Sequence, residues 1–190
     1  IRKYGFHGTS HQYVMHATAK FLKRDYKEIK MITCHLGNGS SVAAIDGGKV
    51  LDTTMGMTPL QGLVMGTRCG DIDPAVVLFL ARQGMTPVAI DDLLNKRSGL
   101  MGVGGLDSGD MRDIVDAASA GNQAAASALK MFAHRLALYI GGYHTLLGGA
   151  DVIVMTGGIG ENSAPARKAV LERLTAIGCR LSEERNNEVR

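Results

Sequence analysis

Residues 29–54 read IKMITCHLGNGSSVAAIDGGKVLDTT. The run from 29 to 36 has the apolar density of a buried strand and stops at Gly37-Asn38-Gly39. SSVAAID and KVLDTT follow as two more strands joined by Gly47-Gly48, a two-residue hairpin signal. The stretch predicts a three-stranded meander with a glycine-rich loop after its first strand.

Upstream, Thr9 or Ser10 is placed to cap a helix running to about Arg24, with Val14, Ala17 and Phe21 on one face. Downstream, residues 55–70 are glycine-rich and irregular. Asp73-Pro74 then opens a helix to about Gln83, and Thr86-Pro87 opens another that ends near Arg97. Glycines at 99, 102, 104, 105 and 109 mark a loop, and a short helix starts at Asp110. The longest helix spans 122–147, with an apolar stripe running from Ala125 through Phe132 and Leu136 to Leu147. DVIVMT at 151–156 is a short buried strand and GGIGEN a tight loop. SAPARKAVLERLTAIG is a helix begun by a Ser163 cap. Helix, meander, several helices, strand and helix make an α/β layered domain without internal repeat or linker.

The 190 residues suit one domain with a sizeable core, and 45% hydrophobic with 21% charged residues is a globular balance. A net charge of +3 with scattered basic residues speaks against nucleic acid as a partner. No apolar run reaches ~18 residues, which speaks against a membrane span. Cys34, Cys69 and Cys179 are far apart and never spaced C-x-x-C. Neither a disulfide framework nor a zinc knuckle is expected, and a cytoplasmic location is. The opening Ile-Arg-Lys, with no initiator Met and no signal pattern, reads as a piece of a longer chain.

Three glycine loops interrupt the regular pattern: HLGNGSS (35–41), GGLDSGDMR (104–112) and TGGIGEN (156–162). Glycine lets backbone N–H groups turn toward an anion with no Cβ in the way, although each loop taken singly is equally a tight turn. The named nucleotide motifs are absent. GGKV lacks the flanks of a P-loop, and GIGENS ends in Ser where the dinucleotide fingerprint requires Gly or Ala. Arg68 stands alone in GTRCGDIDP (66–74), where its donor fork suits phosphoryl oxygens; the alternative is a loop brace to Asp71 or Asp73. His7 and His11 in YGFHGTSH have the spacing of a helical zinc pair. However, Gly8 and the cap place His7 outside the helix, and neither an HExxH glutamate nor a nearby third ligand exists. A histidine just ahead of a helix N-terminus suits an oxyanion instead. His11, His16, His134 and His144 read as structural.

Taken together, RKYGFHGTSH, HLGNGSS, TPLQGLVMGTRCGDIDP, DMR and TGGIGEN resemble, in order and spacing, the acetate kinase family. That family sits among the acetate and sugar kinases, heat-shock chaperone ATPases and actin. The resemblance covers essentially the whole chain. It implies an actin-like ATPase (ribonuclease H-like) α/β domain, the meander plus further strands packed with helices. Residues 1–190 would be the C-terminal nucleotide-binding domain, truncated at both ends. The implied reaction is reversible in-line transfer between ATP and acetate, giving acetyl phosphate and ADP with Mg²⁺. Propionate or butyrate are alternative acceptors, and a non-catalytic actin-like nucleotide module is the alternative of another class. A homodimer is implied too, with the helix at 122–147 either its surface or the domain core.

Carried over by position, His7 and Arg68 match residues that stabilise the transferring phosphoryl group. His35, Leu36, Gly37, Asn38 and Gly39 match the loop on the ATP phosphates, and Asp110, Met111 and Arg112 a segment beside the nucleoside. Gly158, Ile159, Gly160, Glu161 and Asn162 match the loop at the adenosine end; Phe6 and Pro59 match two walls of the acetate pocket. The family's metal ligands, its carboxylate-gripping arginine and a catalytic aspartate would lie outside these residues. No metal ligand is therefore assigned within the chain, which alone is expected to bind nucleotide without turnover. Cys69 stands where the family usually has Ser and reads as an isosteric swap, the alternative being a thiolate favoured by Arg68 beside it.

Overall fold

The computed structural model describes residues 2–188. Helix α1 covers Gly8–Leu22, and after a 3-10 turn at Tyr26–Glu28 comes strand β1, Lys30–Leu36. β1 pairs antiparallel with β2 (Ser40–Asp46), which pairs antiparallel with β3 (Lys49–Thr53). Gly47 and Gly48 make the hairpin with φ of 54° and 84°, a conformation that a Cβ would strain. The expected meander is present.

Five helices follow: α2 (Ala75–Arg82), α3 (Pro87–Lys96), α4 (Gly99–Gly104), α5 (Met111–Ser119) and α6 (Gln123–Leu146). Strand β4 (Val152–Thr156) then returns to the sheet parallel to β1, giving the order β3-β2-β1-β4. Helices α7 (Gly157–Asn162), α8 (Ala164–Leu171) and α9 (Glu183–Glu188) end the described chain. Side chains of Thr86, Asp110, Asn122 and Ser163 each accept a backbone N–H at a helix start, as these residue types predict.

The alternation of β1 sends Ile32, Cys34 and Leu36 to one face, where they pack with Phe132, Leu136 and Ile140 of α6. Met31 goes to the other face and, with Ala43 and Ile45, packs against Met15 and Ala19 of α1. Each fully buried Ile, Leu or Phe here contributes about 1.5–3 kcal/mol. The stripe of α6 is therefore domain core.

Five expectations are corrected. His7, not Thr9 or Ser10, is the N-cap residue of α1, with φ 59° and ψ 21°. The helix also lies on its His11, Val14, Met15, Thr18 and Ala19 side, which leaves Ala17 and Phe21 outward, Phe21 84% exposed. Residues 99–104 are helical despite their glycines, because Leu100 is buried and its N–H donates to Met65 O at 2.9 Å. GGIGEN is the helix α7: Gly157, at φ 79°, passes so close under Leu36 that a Cβ would lie 2.7 Å from its carbonyl oxygen. Finally, the helix from Ser163 stops at Leu171 and tightens into a 3-10 turn at Thr175–Ile177, which keeps Leu174 in the core before Gly178 at φ 87°.

Candidate active site

His7, His11, Met15 and Ala19 are spaced by four, a single row along α1 facing the sheet. Opposite stand the odd positions of the strands: Met31, Thr33 and His35 of β1, and Ser41, Ala43 and Ile45 of β2. Apolar ends meet apolar ends, and polar ends meet polar. His11 Nδ1 lies 2.8 Å from Thr33 Oγ1 and its Nε2 2.8 Å from Ser41 Oγ. Ser41 Oγ is also 2.9 Å from His7 Nδ1, and Ser10 Oγ is 2.8 Å from His35 Nδ1. The rings of His7 and His35 stack with centroids 4.2 Å apart. Hydroxyls face three of the four ring nitrogens of the His7–His11 pair, and among the described residues no three His, Cys, Asp or Glu side chains are grouped at metal spacing.

Burial, then the neighbouring His35 and His7, pushes the His11 pKa down to about 4. A histidine kept neutral in the fold but free to charge when unfolded contributes its full stability above the ordinary value of about 6.5. That contribution is lost as pH falls from there through 4. Thermal melts of the complete protein should thus decline between pH 6.5 and 4, by roughly 3 kcal/mol for this group. A flat melting temperature across that window would show His11 to be solvated.

Arg68 reaches the same place from the loop between Gly62 and Asp71. Asp71 N donates to Gly62 O at 2.9 Å, and Gly62 N donates to Asp71 Oδ1 at 3.0 Å, closing the loop at its base. The other Asp71 oxygen accepts a short bond from the Tyr139 hydroxyl, and Asp73 accepts from Ala75 N. Both carboxylates that offered a brace are thus engaged elsewhere. Among the described residues Arg68 Nη1 donates only to Pro59 O at 3.3 Å and Met65 Sδ at 3.5 Å, and no ion pair involves it. Its guanidinium converges with His7 over Gly39. A Cβ on Gly39 would lie 3.2 Å from Arg68 Nη1 and 3.7 Å from His7 Nε2. The pKa of His7 is lowered by burial first, then by His35 and Arg68, so its imidazole stays neutral beside the cation.

The glycine loops converge beyond this pair, at the carboxyl ends of the parallel strands β1 and β4. Gly66 N donates to Asn38 O at 3.0 Å, and Gly109 packs against the Gly66 carbonyl. The Gly37 N–H turns inward to Gly39 O, whereas those of Asn38 and Gly39 donate to no backbone carbonyl among the described residues. A cavity of about 930 Å³ opens here, lined by Gly37, Asn38, the 107–112 segment, Gly158, Ile159 and Asn162. That is the size of a ligand pocket. A Cβ on Gly66 would fall inside the Asn38 side chain and 3.1 Å from Gly109 O. Gly66→Ala should therefore cost about 1–3 kcal/mol of stability in the complete protein. Thermal melting measures the effect, and an unchanged melting temperature would contradict this loop packing.

The remaining expected site residues fall into different places. Leu36 and Met111 are 1% and 3% exposed, so Leu36 offers only backbone and Met111 a cavity wall seated in the core. Asp110 caps α5 and pairs with Arg112, whose guanidinium holds the carboxyl down to about 2; Arg112 itself lies exposed on the rim. Gly160 packs on the Met155 backbone, and Glu161 accepts from Thr156 Oγ1 and Gly157 N. Phe6 opens on a separate cavity of about 500 Å³ between α1 and the β2–β3 hairpin, while Pro59 holds Arg68. The Cys69 thiol is pushed up, chiefly by burial, so Arg68 does not make it a thiolate. Ser41 and Thr33 escaped the sequence reading because hydroxyls are common in strands. Their one signal is that, with His35, they break the apolar alternation on one face of the sheet.

A meander extended by a parallel strand, with helices on both faces and a cleft at the strand ends, is the arrangement of an actin-like ATPase domain. A sequence model of the Acetokinase family matches residues 1–190, and the chain belongs to that family. It is 56% identical over 187 residues to the acetate kinase of Methanosarcina acetivorans, covering 98% of this chain and 46% of that protein. The crystal structure of Porphyromonas gingivalis acetate kinase superposes with TM-score 0.95 at 45% identity, over 100% of this chain and 48% of that one. A propionate kinase from Francisella tularensis gives TM-score 0.93 at 43% identity, over 98% and 48%. The chain thus spans less than half the length of these relatives.

Proposed function

We propose that the complete protein is an acetate kinase, transferring a phosphoryl group reversibly between ATP and acetate to give acetyl phosphate and ADP. The observation that carries this is Arg68, in no ion pair among the described residues, beside a neutral His7 over Gly39 at the mouth of the glycine loops. Phosphoryl transfer asks a protein mainly for in-line positioning and for charge on the equatorial oxygens. Arg68 supplies that charge and His7 a hydrogen bond. The amides of Asn38 and Gly39 hold the adjacent phosphates, and the Asp110–Arg112 and Gly158–Asn162 segments flank the nucleoside. A carboxylate acceptor is already ionised at neutral pH and needs no strong base. A purely nucleotide-binding module would need neither His7 nor Arg68 in the cleft.

Mg²⁺ would enter with the nucleotide phosphates; the chain's own described residues make no grouping that fits it as a resident ion, and no step here runs through it. Propionate is the second reading, supported by the comparable likeness to a propionate kinase. One methylene changes binding by only about 1–3 kcal/mol. A homodimer belongs to the same proposal. Its support is α2, where Val76 to Phe79 are 37–58% exposed and no residue is buried; a second copy would cover that face. A cytoplasmic location is supported by three unpaired thiols. Among the described residues no helix is long and apolar enough to cross a membrane.

The test is a hydroxamate assay of the complete protein with acetate, propionate and butyrate. The highest kcat/KM is expected with acetate. Preference for a longer acid would replace acetate as the substrate, and no acyl phosphate from any of them would overturn the reading.

A further inference from the structure

We propose that Ser41 is a positioning residue for transfer: backed by His11 and Thr33, it fixes His7 as the tautomer whose Nε2–H points at the phosphoryl site. This rests on the reading of His7 as the group that faces the transferring phosphoryl.

The four groups form one chain, Thr33 Oγ1, His11 Nδ1 and Nε2, Ser41 Oγ, His7 Nδ1, with every step 2.8 or 2.9 Å. Thr33 and Ser41 are fully buried and His11 is 3% exposed, so water does not complete the network. Each neutral imidazole carries one N–H, and each hydroxyl one proton. Only two directions satisfy every link. In the first, Thr33 donates to His11 Nδ1, His11 Nε2–H to Ser41, and Ser41 to His7 Nδ1. The His7 proton then sits on Nε2, which faces the space over Gly39 shared with Arg68 Nη1. In the reverse direction, His7 Nδ1–H donates to Ser41, Ser41 to His11 Nε2, and His11 Nδ1–H to Thr33. The Thr33 hydroxyl proton is then left without an acceptor among the described residues, in a site closed to solvent. An unmet buried donor biases the pair of states about tenfold to a hundredfold toward the first.

Charging His7 would require Nδ1–H and so would force the reverse direction. The groups around it oppose charging as well: His35 stacked from β1, Arg68 from its loop and His11 from α1 all face it, while Glu161 of α7 acts on His35. The relay thus presents a neutral donor, not a second cation, to the phosphoryl oxygens. Which ring nitrogen carries a histidine's proton is set by the bond its other nitrogen makes, and here that bond is Ser41.

The experiment is histidine-labelled ¹⁵N NMR of the complete protein, with steady-state kinetics on the same samples. The wild type should show His7 as the Nε2–H tautomer at neutral pH. Ser41→Ala should give mixed tautomers, move the acid limb of kcat to higher pH, and lower kcat about tenfold to a hundredfold with KM for ATP unchanged. Thr33→Val, which matches the native shape, should weaken the tautomer preference, and Thr33→Ser should restore it. Should Ser41→Ala fail to fold, the Thr33 pair carries the test. An Nδ1–H tautomer in the wild type would overturn the proposal. So would tautomer and kcat left unchanged by Ser41→Ala or, in its place, Thr33→Val. If the wild type transfers no phosphoryl group to any carboxylate, the functional reading falls, and the spectrum alone decides the relay.

Discussion

Replacing Arg68 with alanine in the complete protein is expected to lower kcat by on the order of 10³–10⁵ while the dissociation constant for ADP stays within a few fold. Among the described residues the guanidinium is held only by a 3.3 Å bond to Pro59 O and a 3.5 Å contact to Met65 Sδ. Removing it leaves no buried carboxylate unpaired, because Asp71 and Asp73 bond elsewhere. The loss of stability should therefore be about 1 kcal/mol or less. Lysine at 68 should recover little, since a single ammonium lacks the planar fork that grips two oxygens. Kinetics, calorimetry and thermal melting of the one variant separate these effects. A variant that melts much earlier yet turns over normally when folded would make Arg68 a brace and remove it from the chemistry.

The two histidines of α1 should separate in the opposite sense. His7 sits at φ 59° and ψ 21°, a backbone region that costs a side-chain-bearing residue roughly 1–2 kcal/mol and costs glycine nothing. His7→Gly should thus melt near the wild-type temperature, the relieved strain offsetting the lost stack on His35 and the lost bond to Ser41. Its kcat should fall by about 10²–10³, the usual cost of one donor to transition-state charge. On the proposed function, that strain is kept because His7 faces the transferring phosphoryl group. His11→Ala, in contrast, leaves Thr33 and Ser41 hydroxyls unpaired in a dry site and should destabilise by roughly 2–4 kcal/mol. Its folded fraction should lose less turnover than His7→Gly does. Equal losses of stability in both, with turnover retained in the folded fraction, would reduce His7 to a structural residue.

Some of this molecule was legible in its residues because the instruction is local. Gly47-Gly48 specifies a hairpin through two positive φ angles, and the β1 run specifies a strand buried on both faces. The side chains of Thr86, Asp110, Asn122 and Ser163 mark helix starts by bonding amides two or three residues on. Arg68 and His7 stood out as candidates, since a lone arginine between glycines and a histidine ahead of a helix are chemically specific, and the fold brings the two together over Gly39.

What the sequence left open depends on contacts between distant segments. Whether Arg68 was a brace turned on Asp71, and Tyr139, 68 residues later, settles that carboxylate's partner. Whether GGIGEN was a loop or a helix turned on how closely Gly157 passes under Leu36. The face on which α1 lies was decided by the row that fits the sheet, not by the most apolar stripe, so Phe21 points outward. The same fit brings Ser41 between two histidines 30 and 34 residues away. Propensity and periodicity act over one or two turns of chain. Hydrogen-bond satisfaction in a dry site is a property of the whole packed layer, and only the tertiary structure assigns it.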